Sequence, residues 1–362
     1  MGKVVTFGEI MMRFQTKTGR RFRQSMPGDM ELIFGGAEAN VAASLALLGG
    51  ESAFVTALPD NAIADACLGT LRGLGVDVSK VARTARGRFG IYFAEAGANQ
   101  RPSNVIYDRD YSAIALESNY NWPEIFKGAR WFHITGITPS LSATAAGASI
   151  TAVKAAKAAG LSVSCDLNFR KKLWRWEEGT GPNALAAKIM KQILPFVDVM
   201  IANEEDVGDI LGISADNLDT SSGAIDVQKY PAIAAQVAAQ FSNLKKIAFT
   251  LRESVSATHN NWGAMLFDTA SGKSFFAPQQ GGAYTPYQIT DIVDRIGGGD
   301  SFGAGLIYAS LDSELSRSDA DVLAFATAAS CLCHSIYGDF NYSSRAEIIN
   351  LMKGSTSGRI VR

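Results

Sequence analysis

Short β-branched runs alternate with longer alanine- and leucine-rich runs along most of the chain. The short runs predict strands at Val4–Phe7, Ser52–Ala57, Trp131–Ile134, Ser162–Leu167, Val197–Ala202, Lys246–Leu251 and Ala264–Phe267. The longer runs have helical periodicity and predict helices at Ala37–Leu48, Asp65–Leu74, Ser142–Ala159, Asn183–Leu194, Glu205–Leu211, Ile233–Phe241, Asp300–Leu311, Asp319–Tyr337 and Arg345–Met352. Strands that are apolar on both faces and alternate with helices are typical of a mostly parallel sheet with helices on both sides. The predicted fold class is α/β.

Two segments, about 11–34 and 88–115, interrupt this alternation. They lack helical periodicity and contain short alternating pieces such as Gly90–Ala94 and Asn104–Tyr107. Each segment is predicted to be a β-hairpin inserted into a single domain that covers residues 1–362. The two hairpins together would form a small sheet at one edge, which would act as a lid over a ligand. The alternative is a pair of hairpins without a role in binding.

Composition excludes several classes of protein. The chain has 362 residues, of which 47% are hydrophobic and 19% are charged, and its net charge is −1. A chain with this charge has no basic face for nucleic acid and no polybasic run for an anionic membrane. The N-terminus begins with a predicted strand and has no secretory signal pattern, so we expect a cytoplasmic protein. Neither the four cysteines nor the three histidines form a local pattern for disulfides, zinc or a catalytic triad.

The segment Ile292–Gly305 carries the clearest chemical pattern. An apolar run leads into Gly297, Gly298 and Gly299, and a predicted helix begins at Asp300. Three glycines at a helix start present backbone N–H groups to an anion without interference from Cβ atoms. A carboxylate beside such a site has a purpose if it accepts the proton of an attacking hydroxyl while the glycines hold a phosphoryl group. The alternative is a tight turn with Asp300 as a helix cap.

Two familiar nucleotide motifs do not fit this segment. No lysine follows the glycines, which excludes a P-loop. The glycines lie far from any first βαβ unit, which argues against a dinucleotide-binding oxidoreductase. A second glycine turn, Gly35-Gly36, precedes a helix that carries Asn40, and this pattern suits the recognition of neutral hydroxyl groups.

The two glycine turns together resemble the signatures of one family. Asp294 followed by Gly297–Asp300 resembles the DTxGAGD signature of the ribokinase-type (PfkB) carbohydrate kinases, and Gly35–Asn40 resembles their GGxxxN signature. The resemblance covers essentially the full length. It implies a doubly wound sheet with a β lid, ATP along the C-terminal third, and substrate between lid and sheet. By position, Asp300 would be the catalytic base, and the three glycines would form the anion hole.

The resemblance also implies a nucleotide and metal site. Asn203-Glu-Glu-Asp206 looks like the family's NxxE motif, so Asn203 and Asp206 would position Mg²⁺ through water, with Asp206 in place of the usual glutamate. The alternative is an acidic helix N-terminus without a metal. Thr250 would contact the nucleotide. Arg252 stands where the family has a glycine turn, and it would contact phosphate or pair with Glu253. A dependence on a monovalent cation is left open.

Within the family, the chain is most similar to 2-keto-3-deoxygluconate kinases. Asp166-Leu-Asn168-Phe-Arg170 resembles their DxNxR motif, in which the arginine would contact phosphate, and the alternative is a structural ion pair to Asp166 or Glu177. Tyr107-Asp-Arg109 resembles the lid YxR that receives a sugar acid, because a planar cation suits a carboxylate. Further candidates for the part of the site that receives the sugar acid are Asp339, Tyr92 and Arg13. Arg13 stands where fructokinase-like relatives tend to have aspartate.

The resulting expectation is an ATP- and Mg²⁺-dependent kinase for the terminal hydroxyl of a sugar acid, forming homo-oligomers through its lid. Asp300 would take the hydroxyl proton, while the glycines, Arg170 and Mg²⁺ neutralise the transferring group. A fructokinase or another neutral-sugar kinase is the first alternative. A sugar-binding regulator without turnover is the second.

Overall fold

The computed structural model describes residues 2–213 and 226–355. Its strands are β1 (Lys3–Phe7), β2 (Met11–Gln15), β3 (Glu31–Gly35), β4 (Ser52–Val55), β5 (Ala57–Pro59), β6 (Ala82–Thr84), β7 (Gly90–Glu95), β8 (Asn104–Asp108), β9 (Ala129–Thr135), β10 (Ser162–Asp166), β11 (Val199–Ala202), β12 (Lys246–Ser256), β13 (His259–Asp268), β14 (Lys273–Ala277), β15 (Gln279–Gln280), β16 (Ala283–Tyr284) and β17 (Tyr287–Ile289).

Its α-helices are α1 (Phe22–Ser25), α2 (Ala37–Leu47), α3 (Ala62–Gly73), α4 (Ala113–Leu116), α5 (Trp122–Ile125), α6 (Ala143–Ala158), α7 (Pro182–Ile193), α8 (Glu204–Leu211), α9 (Tyr230–Gln240), α10 (Gly298–Leu311), α11 (Asp319–Cys333) and α12 (Arg345–Met352). Each strand and helix named above from the apolar pattern is present, with shifted ends. Helix α10 begins two residues earlier than predicted, and α11 ends at Cys333 rather than Tyr337. The short helices α1, α4 and α5 were not predicted, because single turns leave no periodic pattern.

The main sheet has the order β14-β13-β12-β11-β10-β9-β1-β4, with β17 also paired to β13. Strands β4, β1, β9, β10, β11 and β12 are parallel, and the strands beyond β12 are antiparallel. Neighbouring residues on one strand contribute to different cores: Val4 belongs to the core that includes residues of α10 and α11, whereas Val5 belongs to the core that includes residues of α6 and α7. The prediction of a mostly parallel α/β sheet with helices on both faces is confirmed.

A second sheet, here called the small sheet, has the order β3-β2-β7-β8. Strands β2 and β3 come from the first inserted segment and pair antiparallel, as do β7 and β8 from the second. The two pairs join through parallel β2 and β7, with Arg13 opposite Tyr92. One face of the small sheet, bearing these two residues, is turned toward the end of the main sheet.

Strands β12 and β13 form a long hairpin, here called the hairpin, that extends beyond the main sheet. Its tip reaches the β7–β8 loop of the small sheet, where the Ala257 N–H donates to the Asn99 carbonyl at 2.7 Å. The hairpin and the small sheet therefore enclose a space beside the ends of the parallel strands. No helix within the described ranges is both long and apolar enough to cross a membrane.

Candidate active site

A cavity of about 470 Å³ lies between the small sheet, the hairpin and the ends of β10 and β11. Its wall contains every site residue named above except Gly35 and Arg13: Gly36, Asn40, Tyr92, Tyr107, Arg109, Asn168, Arg170, Asn203, Asp206, Thr250, Arg252, Gly297, Gly298, Gly299, Asp300 and Asp339. Ligands of open α/β sheets bind at the carboxyl ends of the strands, where this cavity lies. Gly35 has a different role, because a Cβ atom there would lie 2.0 Å from Asp339 Oδ2.

Two glycines of the turn before α10 stand where a larger side chain would clash with neighbouring atoms. Gly297 has a φ of +84°, and a Cβ atom there would lie 2.5 Å from the Asp339 carbonyl oxygen. A Cβ atom on Gly298 would lie 2.8 Å from the His334 ring, which explains why glycine stands where the DTxGAGD signature has alanine. A Cβ atom on Gly299 would meet no protein atom within 4 Å. Gly299 therefore faces open cavity.

The N-terminus of α10 presents unpaired donors to the cavity. The N–H groups of Gly298, Gly299 and Asp300 have no hydrogen-bond acceptor among the described residues, as expected for the first turn of a helix. Gly297, not Asp300, occupies the cap position. The alternative interpretation of Asp300 as a helix cap is therefore wrong, and its side chain is available for another purpose.

Asp300 is held by one direct contact. Asn40 Nδ2 donates to Asp300 Oδ2 at 2.7 Å, while Asn40 Oδ1 accepts the Gly36 N–H at 3.2 Å. Burial raises the pKa of Asp300 to about 7, and the nearby carboxylates of Asp339 and Glu38 add to this effect against the hydrogen bond from Asn40. A carboxyl group with a pKa near neutrality beside a row of N–H donors is suited to proton transfer.

Asp339 belongs to a buried network whose centre is Arg13. Arg13 Nη1 donates to Asp339 Oδ1 at 2.9 Å, and Arg13 Nη2 donates to Asp294 Oδ2 at 2.7 Å. Tyr92 donates to Asp339 at 2.9 Å. Burial raises the pKa of Asp339, and the Arg13 guanidinium opposes this increase. Arg13 lies outside the cavity wall, so it supports Asp339 from behind.

The small sheet contributes Tyr107 and Arg109 to the same end of the cavity. Arg109 Nε donates to the buried carboxylate of Glu9 at 2.6 Å, and its guanidinium lies 5.6 Å from the Tyr107 ring centre. Neither terminal nitrogen of Arg109 has a hydrogen-bond partner among the described residues. They are therefore free for a ligand in the cavity.

The ends of β10 and β11 supply the acidic part of the wall. Asn168 has a φ of +36°, and its N–H donates to Asp166 Oδ1 at 3.1 Å. Arg170 is exposed and donates to the carbonyl of Phe169 at 3.0 Å. Glu177, named above as a possible partner of Arg170, accepts instead from Lys188.

Asn203 and Asp206 cap helix α8 reciprocally. The Asp206 N–H donates to Asn203 Oδ1 at 2.7 Å, and the Asn203 N–H donates to Asp206 Oδ2 at 3.4 Å. Asp206 also accepts the Phe169 N–H at 2.9 Å, and burial raises its pKa to about 6. The predicted acidic helix N-terminus is present, and both side chains still line the cavity.

The donor set of this wall fits Mg²⁺. The described residues contain no cluster of three or more metal-binding side chains. Mg²⁺ prefers oxygen ligands and is usually held by one or two carboxylates, several waters and substrate phosphates. Asp166, Asn203 and Asp206 supply such oxygens at the cavity wall.

The opposite end of the cavity is formed by Thr250 and Arg252 of the hairpin and by Arg295 of the loop before α10. Arg252 is exposed. Arg295 Nη2 donates to Asn260 Oδ1 at 3.2 Å, and its buried Nε has no partner among the described residues. Burial lowers the pKa of Arg295, and the positive charge of Arg252 contributes. Two neighbouring cations at one cavity wall are suited to an anion.

Sequence reasoning missed the roles of Arg295, Glu9 and the Arg13 network. Arg295 stands at the threonine position of the DTxGAGD signature, so this difference was visible in the sequence. Glu9 and Arg13 act through partners about one hundred or more positions away, and the apolar pattern contains no sign of such contacts. His133 is a core residue, and burial lowers its pKa to about 3.

Comparison with known proteins gives a consistent result. The family model of the pfkB family carbohydrate kinases matches residues 1–341. A crystal structure of 2-dehydro-3-deoxygluconokinase from Thermotoga maritima is 44% identical, with a TM-score of 0.86 over 98% of this chain and 100% of the other. The 2-dehydro-3-deoxygalactonokinase of Haloferax volcanii is 29% identical over 98% of both chains. Fructokinase-2 of Solanum lycopersicum is 26% identical over 92% of this chain and 90% of its own.

Proposed function

The chain belongs to the pfkB family of carbohydrate kinases, and we propose that it transfers the γ-phosphoryl group of ATP to the terminal hydroxyl of a 2-keto-3-deoxy sugar acid, with 2-keto-3-deoxygluconate as the first candidate. The observation that carries the proposal is a single cavity that has Asp300 and the unpaired N–H groups of α10 at its centre. Arg109 lies toward the small sheet, and Arg252 lies on the hairpin.

The small-sheet end suits a sugar acid. The two terminal nitrogens of Arg109 can each donate a hydrogen bond to one oxygen of a carboxylate. A neutral hydroxyl group cannot accept both bonds in this geometry. Tyr107, Tyr92 and Asp339 surround the same volume and offer partners for the substrate hydroxyl groups, with Gly36 at the base. The names of the two sugar-acid kinases among the relatives agree with this assignment.

Asp300 is the proposed catalytic base. It accepts the proton of the terminal hydroxyl as that oxygen attacks the γ-phosphorus, and Asn40 holds the carboxylate in place. The N–H groups of Gly298 and Gly299 stabilise the charge on the transferring group, and Arg170 approaches it from the opposite wall. The small sheet acts as a lid and excludes water from the reaction.

The hairpin end is the proposed nucleotide site. Thr250, Arg252, Asn168 and Gly297 would border the phosphates, and Asn203 and Asp206 would hold Mg²⁺ through water. When bound, Mg²⁺ neutralises charge on the phosphate oxygens. The excess positive charge of Arg252 and Arg295 at this wall is appropriate for a polyphosphate.

A panel of acceptors tests the function. Purified protein is incubated with MgATP and 2-keto-3-deoxygluconate, its galactonate epimer, fructose or ribose, with and without K⁺, and ADP release is measured. The proposal predicts that kcat/KM for a keto acid exceeds that for fructose at least ~100-fold, since the carboxylate forms two charge-assisted hydrogen bonds with Arg109 that fructose lacks. A preference for fructose would establish the fructokinase alternative, and no ADP release with any sugar would favour a regulator.

The outer face of the small sheet supports association with a second copy. Leu32, Phe14, Phe93 and Ile106 lie side by side across its four strands. Leu32 and Ile106, at the two ends of this row, are 47% and 50% exposed, which is uncommon for large apolar residues. A homodimer through this face would cover them. Sedimentation of the wild type and of the Ile106→Lys variant would measure this association.

A further inference from the structure

Glu9 is a buried carboxylate at the point where the chain leaves the main sheet for the small sheet. It lies between β1 and β2 and is 3% exposed. Its Oε2 accepts Arg109 Nε at 2.6 Å, so the ion pair joins two segments a hundred positions apart. Arg109 lines the cavity, whereas Glu9 does not. Glu9 therefore reaches the ligand only through Arg109.

Two glycines make the room that Glu9 occupies. A Cβ atom on Gly36 would lie 2.0 Å from the Glu9 carbonyl oxygen, and one on Gly90 would lie 2.4 Å from Glu9 Oε1. Side chains at either position would displace Glu9. The backbone of α2 and the start of β7 are thus fitted around this residue, which fixes the location of its carboxylate.

The pair is poorly explained by stability alone. Glu9 Oε1 is buried and has no hydrogen-bond partner among the described residues. A buried ion pair usually returns little net stability, and an unsatisfied buried oxygen reduces it further. An ion pair that adds so little stability has a clearer purpose if the Glu9 carboxylate orients the Arg109 guanidinium.

The geometry of a guanidinium gives Glu9 this directing effect. Its five N–H donors lie in one plane with fixed relative directions, so a partner on Nε also sets where Nη1 and Nη2 point. With Nε held by Glu9, the terminal nitrogens of Arg109 are left for the cavity. A long flexible side chain would otherwise lose conformational entropy on binding each substrate molecule.

We propose that Glu9 is a positioning residue that gives this kinase its preference for sugar acids, by holding Arg109 in the orientation that receives the substrate carboxylate. The inference rests on the proposed function. It adds a residue outside the cavity to the determinants of substrate choice.

A double-mutant cycle tests the proposal. The variants Glu9→Ala, Glu9→Gln, Arg109→Ala and the combination of Glu9→Ala with Arg109→Ala are assayed with the keto acid and with fructose. Glu9→Ala is expected to lower kcat/KM for the keto acid about 10- to 50-fold, mainly through KM, because the lost orientation weakens binding. Glu9→Gln, which keeps an acceptor for Nε, is expected to lose less. In the Arg109→Ala background, Glu9→Ala should change kcat/KM by less than about twofold.

Glu95 offers a matched control. It is another buried carboxylate of the small sheet, and it pairs with Arg21 at 2.9 Å but does not line the main cavity. Glu95→Ala should lower the melting temperature as Glu9→Ala does, while KM for the keto acid changes by less than about twofold.

Several outcomes would overturn the proposal. Equal losses from Glu9→Ala with and without Arg109 would show that Glu9 does not act through Arg109. If Glu9→Ala does not fold, the same comparison is made with Glu9→Gln in both backgrounds. Tighter keto-acid binding by Glu9→Gln would mean that the charge of Glu9 opposes the substrate. A wild type that phosphorylates fructose but no keto acid would refute the proposed function itself, and this inference with it.

Discussion

The two ends of the cavity hold their positive charges in opposite ways. At the small-sheet end, Arg13 and Arg109 are 2% and 6% exposed, and each donates to a buried carboxylate. At the hairpin end, Arg252 is exposed, and Arg295 donates to a backbone carbonyl and an amide oxygen. At one end the cations are paired with buried carboxylates before any ligand arrives, and at the other end they are not.

This difference corresponds to what each proposed ligand brings. A sugar acid carries one charge, so recognition depends on the direction of a few hydrogen bonds, and a rigid bonded wall provides that direction. A nucleoside triphosphate carries several negative charges, so cations that have no carboxylate partner at the wall attract it over a longer range. The small-sheet end should therefore determine which sugar is used, and the hairpin end how tightly nucleotide binds.

The largest expected effect comes from Asp300, which lies between the two ends. Asp300→Asn keeps the shape and the contact with Asn40 but removes the base. We expect kcat to fall by about 10²–10⁴, with KM for both substrates within about threefold. Steady-state kinetics measure this. Near-native turnover by the variant would refute the assignment of the base.

Replacing Arg13 tests how much the stability of the protein depends on the internal hydrogen bonds of the small-sheet end. Arg13→Met leaves Asp339 and Asp294 buried without their cation, which should cost about 3–5 kcal/mol of unfolding free energy. Urea unfolding followed by circular dichroism would measure the loss. A variant as stable as the wild type would mean that this network contributes little to the fold.

Arg109 tests sugar selection at the same end. Arg109→Met keeps the length of the side chain but removes the guanidinium, so kcat/KM for the keto acid should fall about 100-fold. The value for fructose should change by less than about threefold. Equal losses with both sugars would instead assign Arg109 a general role in closing the lid.

Arg252 provides the contrasting test at the hairpin end. Arg252→Met should raise KM for ATP about tenfold, because one charge-assisted contact with phosphate is lost. Unlike Arg13→Met, it should leave the melting temperature unchanged, since Arg252 is exposed. Measuring KM for ATP at two salt concentrations adds a check, because the difference between variant and wild type should shrink at high salt.

The smallest effect concerns pH. Because burial raises the pKa of Asp300 to about 7, kcat/KM should rise with pH and level off above that value. The folded protein also binds this proton more tightly than the unfolded chain, so the stability contributed by Asp300 decreases as pH rises through about 7. Asp300→Asn should therefore raise the melting temperature at pH 8 and not at pH 4. Scanning calorimetry at both pH values would show the same change in melting temperature if the pKa of Asp300 were ordinary.

The sequence contained enough information for the fold and for the centre of the site, but not for the walls. The alternation of strands and helices follows from periodic apolar residues, and the glycine turn at 297–299 is a local pattern. The bonds of Arg13 to Asp339 and of Arg109 to Glu9 join positions far apart in the chain, and a single sequence carries no record of such pairs. The hairpin was also longer than predicted, because Arg252–Ser256 is polar and exposed and gives no alternating signal.

The contact between Ala257 and Asn99 determines where the molecule opens. A single backbone hydrogen bond contributes about 0.5–1.5 kcal/mol, whereas separating Arg13 or Arg109, on the opposite side of the small sheet, from its carboxylate partner would leave a buried charge unpaired at a cost of about 3–5 kcal/mol. Thermal fluctuations will therefore separate the hairpin tip from the β7–β8 loop first, with the segment near Glu9 and Arg13 as the hinge. We therefore expect sugar and product to pass through this seam, so that slower opening of the seam would slow the catalytic cycle.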